Sequence, residues 1–235
     1  WTKYKQIKYD SYIYSVLYGL CMILTIFNIS HGANHGELVK RYPYWFNKIS
    51  EYSQFILGHH PFSWKKWHNV SHHQHTNTIQ DLDTNRSKVY RLHKNQKYLE
   101  FYKYQHIYTW FLIYPFTHIY AFVSQKRQYI KGYSFYFILN LFLSILICDK
   151  FNLITKLLIE SFVFGFLFVL INHITHTNDK TEHSDISNSC WYENQLRTTA
   201  NWSCRNYFIT HLLGGINYQI EHHLFQSIHH YHYPA

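Results

Sequence analysis

Histidine is the residue type in this chain whose number and spacing could do chemistry. His68, His72 and His73 fall within six residues, beside Trp64 and Trp67. Residues four apart share a helix face, so His68 and His72 can reach one metal ion, and His73, about 100° further round, can reach a neighbouring ion. Imidazole suits iron, zinc, copper and nickel, so histidine alone does not select the metal. We predict a centre of more than one ion, with the two tryptophans packed against it rather than in an interfacial belt.

Two further groups have comparable spacing. His31 and His35 are four residues apart, and Gln219, His222 and His223 stand at i, i+3 and i+4 on one helical face. A structural zinc ion takes four ligands and a catalytic one about three, which is fewer than this chain offers. Two ions are therefore the simpler interpretation. The predicted ligands are His31, His35, His68, His72, His73, His176, Gln219, His222 and His223.

Three further residues have alternative roles. His173 is the alternative to His176 as a ligand, because both stand at the end of an apolar run. Asn172 can hold a metal-bound water or a histidine, and Glu221 can orient an imidazole through its free N–H. The pair His31 and His35 alone also fits the polar residues common at a helix end near a membrane surface. The three groups together are what indicates metal.

Composition indicates a membrane protein. The chain is 47% hydrophobic and 20% aromatic, yet its mean hydropathy is −0.31, so apolar and polar residues are segregated. The net charge of +9 is spread between apolar runs and forms no basic groove, which disfavours nucleic acid as a partner. The four cysteines contain no C-x-x-C pair and indicate no disulfide framework.

Four apolar runs set the predicted topology. Residues 12–29 fit a transmembrane helix, and residues 133–148 and 153–171 fit a hairpin of two more. Residues 107–123, interrupted by Pro115, fit an interfacial or re-entrant segment. Residues 36–106 carry eleven of the 22 lysines and arginines, which favours the cytoplasmic side. Glu160 lies inside the last run, where we expect a lumenal-end or protein-facing position.

The predicted fold class is therefore all-α, with integral membrane helices capped by a cytosolic helical domain that carries a histidine-rich dimetal site. We expect residues 1–235 to form a single domain. The chain begins at Trp1 without an initiator methionine, so we expect it to be a piece of a longer protein. An upstream cytochrome b5 domain, a first transmembrane helix, or both, would belong to the remainder.

The motifs resemble the three histidine boxes of the membrane fatty acid desaturases. These motifs are His31-x-x-x-His35, His68-x-x-x-His72-His73 and Gln219-x-x-His222-His223, with supporting similarity at Asp81-x-Asp83 and residues 195–202. Glutamine at the start of the last box is similar to the front-end subfamily, which inserts a double bond between an existing one and the carboxyl end. The chain departs from the usual pattern at Gly32, Leu82 and Gln226, and none of these departures removes a ligand.

The resemblance implies a front-end desaturase acting on a polyunsaturated acyl-lipid or acyl-CoA. Its cofactors would be two non-haem iron ions, with dioxygen as co-substrate and electrons from cytochrome b5 and its NADH reductase. It would lie in the endoplasmic reticulum membrane with the boxes facing the cytosol, and no side chain beyond the metal ligands would be catalytic. The alternatives are a sphingolipid long-chain-base desaturase, a hydroxylase on the same scaffold, or a non-catalytic zinc-binding membrane protein.

Overall fold

The computed structural model describes residues 1–9, 11–39, 41–57, 60–83, 89–92, 94, 96–116, 142, 150–183 and 190–234. Every regular element in these ranges is helical, which confirms the all-α prediction. The nine helices that we number are α1 Thr2–Tyr9, α2 Tyr12–His35, α3 Tyr44–Tyr52, α4 (residues 61–75), α5 (residues 100–116), α6 Lys150–His176, α7 Trp191–Thr198, α8 Tyr207–Leu212 and α9 Gln219–Leu224.

Two of the described helices are long and apolar enough to cross a membrane. They are Tyr12–His35, with a hydropathy of 1.8, and Asn152–His176, with a hydropathy of 2.2. Both helices continue beyond the predicted apolar runs and end at His35 and His176. The apolar part of each helix and its histidines therefore belong to one continuous helix. Residues 117–123 and, apart from position 142, the predicted run 133–148 lie outside the described residues.

The two long helices pack side by side and form the centre of the fold. A Cβ atom added at Gly19 of α2 would lie 2.9 Å from Val163 Cβ of α6, so the helices approach closely there. Further along, the rings of Phe27 and Phe168 stack with centroids 5.9 Å apart. The buried apolar cluster combines these helices with α4 and the segment after α8, through Ile23, Ile26, Phe27, Trp64, Phe164, Ile171, Leu213 and Ile216.

Glu160 faces the protein rather than lipid. Its side chain is buried on α6, and Lys3 Nζ of α1 lies 2.7 and 3.0 Å from the two carboxylate oxygens. Lys3 also lies 5.0 Å from the ring centroid of Tyr18 on α2. A charge in an apolar helix is thus paired, which is the protein-facing position that the sequence predicted.

Helix α5 is irregular along its length. It passes from a 3-10 turn through a short α-helical and a π-helical stretch to a second 3-10 turn at Tyr114–Phe116. Trp110 packs against Phe166 of α6 with ring centroids 5.4 Å apart, while Phe111 and Leu112 are exposed. The interfacial or re-entrant placement of residues 107–123 stays a prediction.

Candidate metal centre

Two helices change their winding at the histidines. Residues Ile26–His31 of α2 and Lys66–His72 of α4 are π-helical. In α4 the backbone N–H of His73 donates to the carbonyl oxygen of His68, five residues earlier. This winding, frequent at functional sites, turns His68 and His73 toward one another. Their Nε2 atoms lie 3.3 Å apart.

The first histidine group joins three segments of the chain. His31, His35, His68 and His222 each offer a nitrogen, and these atoms lie within 4.8 Å of one another. His31 Nε2 is 3.3 Å from His68 Nε2. Two nitrogens bound to one ion at about 2.1 Å lie about 3.0 to 3.4 Å apart, so this spacing fits a shared metal.

The second histidine group lies beside the first. His72, His176 and His223 offer nitrogens that again lie within 4.8 Å, and all three side chains are buried. His72 Nε2 and His176 Nε2 are 3.2 Å apart. This group joins α4 to the ends of α6 and α9, so the residues nearest to it come from three distant parts of the sequence.

His73 lies between the two groups. Its ring stacks on that of His223 with centroids 4.1 Å apart, and its Nε2 atom points to His68 of the first group. The sequence places His68 and His72 on one helix face beside one ion, and in the structure their rings do stack, with centroids 5.0 Å apart. Their Nε2 atoms nevertheless meet different partners, His31 and His73 for His68 and His176 for His72, so the two histidines belong to different groups.

The hydrogen bonds on the outer side of the rings fix which nitrogen faces inward. His68 Nδ1 lies 2.8 Å from an Asp83 carboxylate oxygen, and His72 Nδ1 lies 2.9 Å from Asp81. His223 Nδ1 lies 2.8 Å from Gln195 Oε1. Each Nδ1 therefore carries the proton and donates it, which leaves the Nε2 lone pair directed into the centre.

Three buried acceptor atoms near the centre lack a hydrogen-bond donor, as expected of a site that binds a cation. His222 Nε2, His223 Nε2 and Gln219 Oε1 are buried and have no hydrogen-bond partner within the described ranges. A buried acceptor left unpaired is unfavourable, and a metal ion would satisfy several at once. The two groups therefore fit two imidazole-bound metal ions.

Burial keeps most of these histidines neutral. Burial, and then repulsion from neighbouring histidines, lowers the pKa of His68, His73, His222 and His223 well below the usual value. Burial also acts to lower the pKa of His72, but the charge and hydrogen bond of Asp81 outweigh it and raise the pKa. Neutral imidazole is the form that binds a metal, so the lowered values favour coordination.

Gln219 lies against the second group, as its place in the last box suggested. Its Nε2 atom is 2.8 Å from His176 Nε2, while its Oε1 atom is the unpaired acceptor named above. Rotation of the amide about its last bond exchanges the two atoms and directs the oxygen to the centre. Gln219 as an oxygen ligand stays a prediction that this geometry permits.

The three residues predicted as alternatives make their contacts outside the two histidine groups. His173 Nδ1 is 2.6 Å from the Tyr114 hydroxyl of α5, so its ring faces that helix. Asn172 Nδ2 donates to the Phe168 carbonyl oxygen of its own helix at 2.7 Å. Glu221 accepts a hydrogen bond of 2.7 Å from Asn201 Nδ2 and thereby ties α9 to the segment after α7. Of the two candidates on α6, the structure brings His176 to the groups.

Residues in and just after the second histidine box pack against its histidines and connect α4 to other helices. Trp64 stacks on His68 with ring centroids 4.2 Å apart, and Trp64 and Trp67 are both buried, as the packing interpretation predicted. Asn77 adopts a left-handed backbone (φ 55°), which asparagine tolerates. Its Nδ2 atom donates to the carbonyl oxygens of His176 (2.7 Å) and Thr198 (3.2 Å). The end of α4 is thereby tied to α6 and α7.

The residues that orient the rings have no predicted role. Asp81 and Asp83 belong to the desaturase-like motif, and each carboxylate contacts one group, through His72 and His68 respectively. Gln195 belongs to the similar stretch 195–202 and contacts His223. Two acids spaced by one residue, eight and ten residues after His73, are a signal that the sequence does carry, because histidine ligands commonly donate their second N–H to a carboxylate.

Comparison with known proteins identifies the family. The sequence model of the fatty acid desaturase family matches residues 11–235. The chain belongs to the fatty acid desaturase family. The desaturase family predicted from the three histidine boxes is thus confirmed, and the two candidate membrane helices agree with the membrane association expected of it.

Several desaturases resemble the chain over most of its length. The sn-1 linoleoyl-lipid 6-desaturase of Arthrospira platensis is 30% identical over 88% of this chain and 63% of its own. The acyl-lipid (8-3)-desaturase of Physcomitrium patens is 28% identical over 88% and 49%, and the Delta(5) fatty acid desaturase A of Dictyostelium discoideum 26% over 94% and 54%. The chain thus spans about half to two thirds of the length of these relatives. No solved structure matches it.

Proposed function

We propose that this chain is the core of a front-end fatty acid desaturase, which inserts a cis double bond into a polyunsaturated acyl chain. The observation that carries the proposal is the pair of buried histidine groups at the ends of two apolar helices. The relatives named as 6-, 5- and (8-3)-desaturases support the front-end assignment, as does Gln219 at the start of the last box.

The proposed ligands divide between two iron ions. His31, His35, His68 and His222 would hold one, and His72, His176 and His223 the other, with His73 between them and Gln219 beside the second. Bound iron would supply the oxidation by dioxygen that removes one hydrogen from each of two adjacent, unactivated methylenes, a reaction beyond side-chain acids and bases.

The residues of the chain contribute position and exclusion of water. Asp81 and Asp83 hold the rings of His72 and His68 so that their Nε2 atoms face inward. All the proposed imidazoles except His68 are buried, and His68 has a side-chain exposure of only 12%. A dry, preorganised site protects a reactive oxidant from side reactions, and the position of the acyl chain then decides which carbons react.

The same proposal implies an acyl carrier, an electron donor and a membrane orientation for the chain. The acyl carrier would be a membrane lipid or coenzyme A, and the electrons would come from cytochrome b5 and its NADH reductase. The basic residues between α2 and α5 support a cytosolic orientation of the boxes, in the endoplasmic reticulum membrane. We further propose that residues 1–235 form one desaturase domain of a longer protein.

Expression in a host fed defined polyunsaturated acids tests the proposal. We expect a new double bond on the carboxyl side of an existing one, located by mass spectrometry, and about two iron ions per purified chain. One zinc ion without iron, with no new product, would support the non-catalytic alternative and refute the proposal. A hydroxylated product, or a double bond in a long-chain base, would point to the other two alternatives.

A further inference from the structure

Helix α3 has its polar side buried and its apolar side exposed. Its buried residues Asn47, Ser50 and Glu51 are all polar. Trp45, Ile49 and Tyr52, spaced i, i+4 and i+7, form a stripe on the opposite side and are 63%, 65% and 48% exposed. A surface helix in water shows the reverse arrangement. We call these three residues the outer stripe.

The buried side of α3 is bound to the end of the first candidate span. Asn34 of α2 donates a hydrogen bond of 3.1 Å to the carbonyl oxygen of Glu51. Directly after α3, Gln54 Oε1 accepts one of 2.5 Å from the Ser30 hydroxyl. Ser30 and Asn34 flank His31 in the last third of α2, so α3 lies where that helix reaches its polar end.

A second helix with exposed aromatic residues meets α2 at the same level. Tyr207 and Phe208 of α8 are 66% and 72% exposed. The end of α8 is held to α2 through Asn28 Nδ2, which donates to the carbonyl oxygen of Leu212. Asn28 is two residues before Ser30, so α3 and α8 both attach to one short section of the span.

We propose that the outer stripe of α3 and the two aromatic residues of α8 are inserted into the interfacial layer of the lipid bilayer. Amphipathic helices of this kind bury their apolar face about 5–10 Å into the boundary between headgroups and acyl chains. Tryptophan and tyrosine are enriched at this depth. The surface is continuous with α2, a candidate span, which makes lipid rather than another protein its occupant.

The charges around the stripe fit the same occupant. Arg41 precedes α3 beside Tyr42, whereas Lys48, whose Nζ atom is 5.5 Å from the ring centroid of Tyr44, is paired with Glu51 at 2.9 Å. Basic side chains can extend their charged ends toward anionic headgroups while their stems lie along apolar surface. Helix α7 also buries polar residues and exposes Tyr192 and Leu196, but it differs from α3 because Glu193 and Arg197, of opposite charge, lie among its exposed residues. It serves as the water-facing comparison.

The consequence for the protein is that the metal-binding part sits partly within the membrane surface. The region between the first two boxes was predicted from its charge to lie in the cytosol, and the proposal moves residues 44–52 into the lipid interface. This inference does not depend on desaturation. It depends on the polarity of the two sides of α3 and α8.

Photo-crosslinking of the full chain tests the proposal. Benzoylphenylalanine would replace Trp45 in one variant, Phe208 in a second and Tyr192 of α7, which is 54% exposed, in a third. Each protein would be reconstituted in vesicles of phosphatidylcholine and phosphatidylglycerol and irradiated, and lipid adducts measured by mass spectrometry. All three positions carry an exposed aromatic residue, so the probe changes little in each.

We expect lipid adducts at positions 45 and 208 at least about tenfold above those at 192, because a water-facing side chain contacts no acyl chain. Equal adducts at all three positions, or none at 45 and 208, would overturn the proposal. So would crosslinks to protein at 45 in place of lipid. Should the Trp45 variant fail to accumulate, the probe at Tyr44, which is 76% exposed, decides the same question.

Discussion

Asp81→Asn should weaken the second metal position while leaving every proposed ligand in place. The carboxylate of Asp81 is fully buried and accepts from His72 Nδ1, from the backbone N–H of Asn77 and from that of Asp83, each at 2.9 Å. Asparagine has the same size but only one accepting oxygen. At least one of the three donors would therefore face an NH₂ group, and the charge that holds the His72 ring would be lost.

The size of the effect follows from these contacts. A hydrogen bond to a charged group contributes about 1.5–3 kcal/mol. At 1.4 kcal/mol for each factor of ten, its loss weakens metal binding about 10- to 100-fold. Removal of a carboxylate that orients a metal-binding histidine costs about the same. The change also removes the interaction that raises the pKa of His72.

Metal retention against a chelator is the assay. Purified wild-type and variant proteins would be dialysed against rising chelator concentrations, and iron per chain would be measured together with product formation. We expect Asp81→Asn to pass from two ions to one at a chelator concentration where the wild type keeps both. The matched control is Asp83→Asn, whose carboxylate is 27% exposed, so its loss should cost about 1 kcal/mol or less.

Equal retention in Asp81→Asn and the wild type would refute the role given to the carboxylate. Loss of both ions together would also contradict it, because the ring that the Asp81 carboxylate holds is that of His72, in the second group. A variant that misfolds would show loss of the monodisperse detergent-solubilised species, which Asp83→Asn should retain. Metal loss in a variant that stays monodisperse therefore reports on the site itself.

Three further perturbations test other parts of the structure. His176→Ala should abolish product while His173→Ala retains a substantial part of it, since only the first ring meets the metal groups, and equal losses would contradict this. Gly214→Ala should destabilise the protein by about 2–5 kcal/mol, because its φ is 59° and its Cβ would lie 2.3 Å from a carbonyl oxygen of α2. Thermal unfolding measures this, and Gly36→Ala, which has open space but a φ of 85°, should lose only the conformational part. Burial raises the pKa of Glu51, but hydrogen bonds from two lysines outweigh it and lower the pKa below its usual 4.5, so its contribution to stability is present above pH 4.5 and lost as the pH falls further. The difference in melting temperature between wild type and Glu51→Gln should therefore shrink below that pH, and a constant difference would show that the ion pairs contribute nothing.

Spacing predicted which histidines come together. The three boxes are short patterns on helices, and the structure gathers their histidines into two adjacent groups with His176. The sequence could not predict whether His176 or His173 joins these groups, because both follow the same apolar run. It depends on which side of α6 faces α4, and that is set by tertiary packing with α2 and α5.

The sequence also could not predict which of the proposed ligands belongs to which histidine group. Helical periodicity correctly predicts that His68 and His72 share a face, but their division between the two groups depends on the histidines of α2, α6 and α9 that pack against them. No residue of Lys66–His72 carries a sequence signal that predicts the π-helical winding there. The exposed stripe of α3 was missed for another reason, because hydropathy averaged over a polar region conceals a helix whose apolar side faces outward.

The two π-helical turns allow the ligand-bearing helices to hold one extra residue. A turn that closes on the fifth residue holds one residue more than an α-helical turn and rotates less per residue. The helix beyond it therefore keeps nearly the direction that it would have if the turn were α-helical and one residue shorter. In α4, His68 and His73 are five residues apart yet have the relation that residues four apart have in an α-helix. Deleting the exposed Val70 would place these two histidines four residues apart, so their contact would be kept only if the turn reverted to α-helical winding. Chain length and helix winding are thus coupled within the second box.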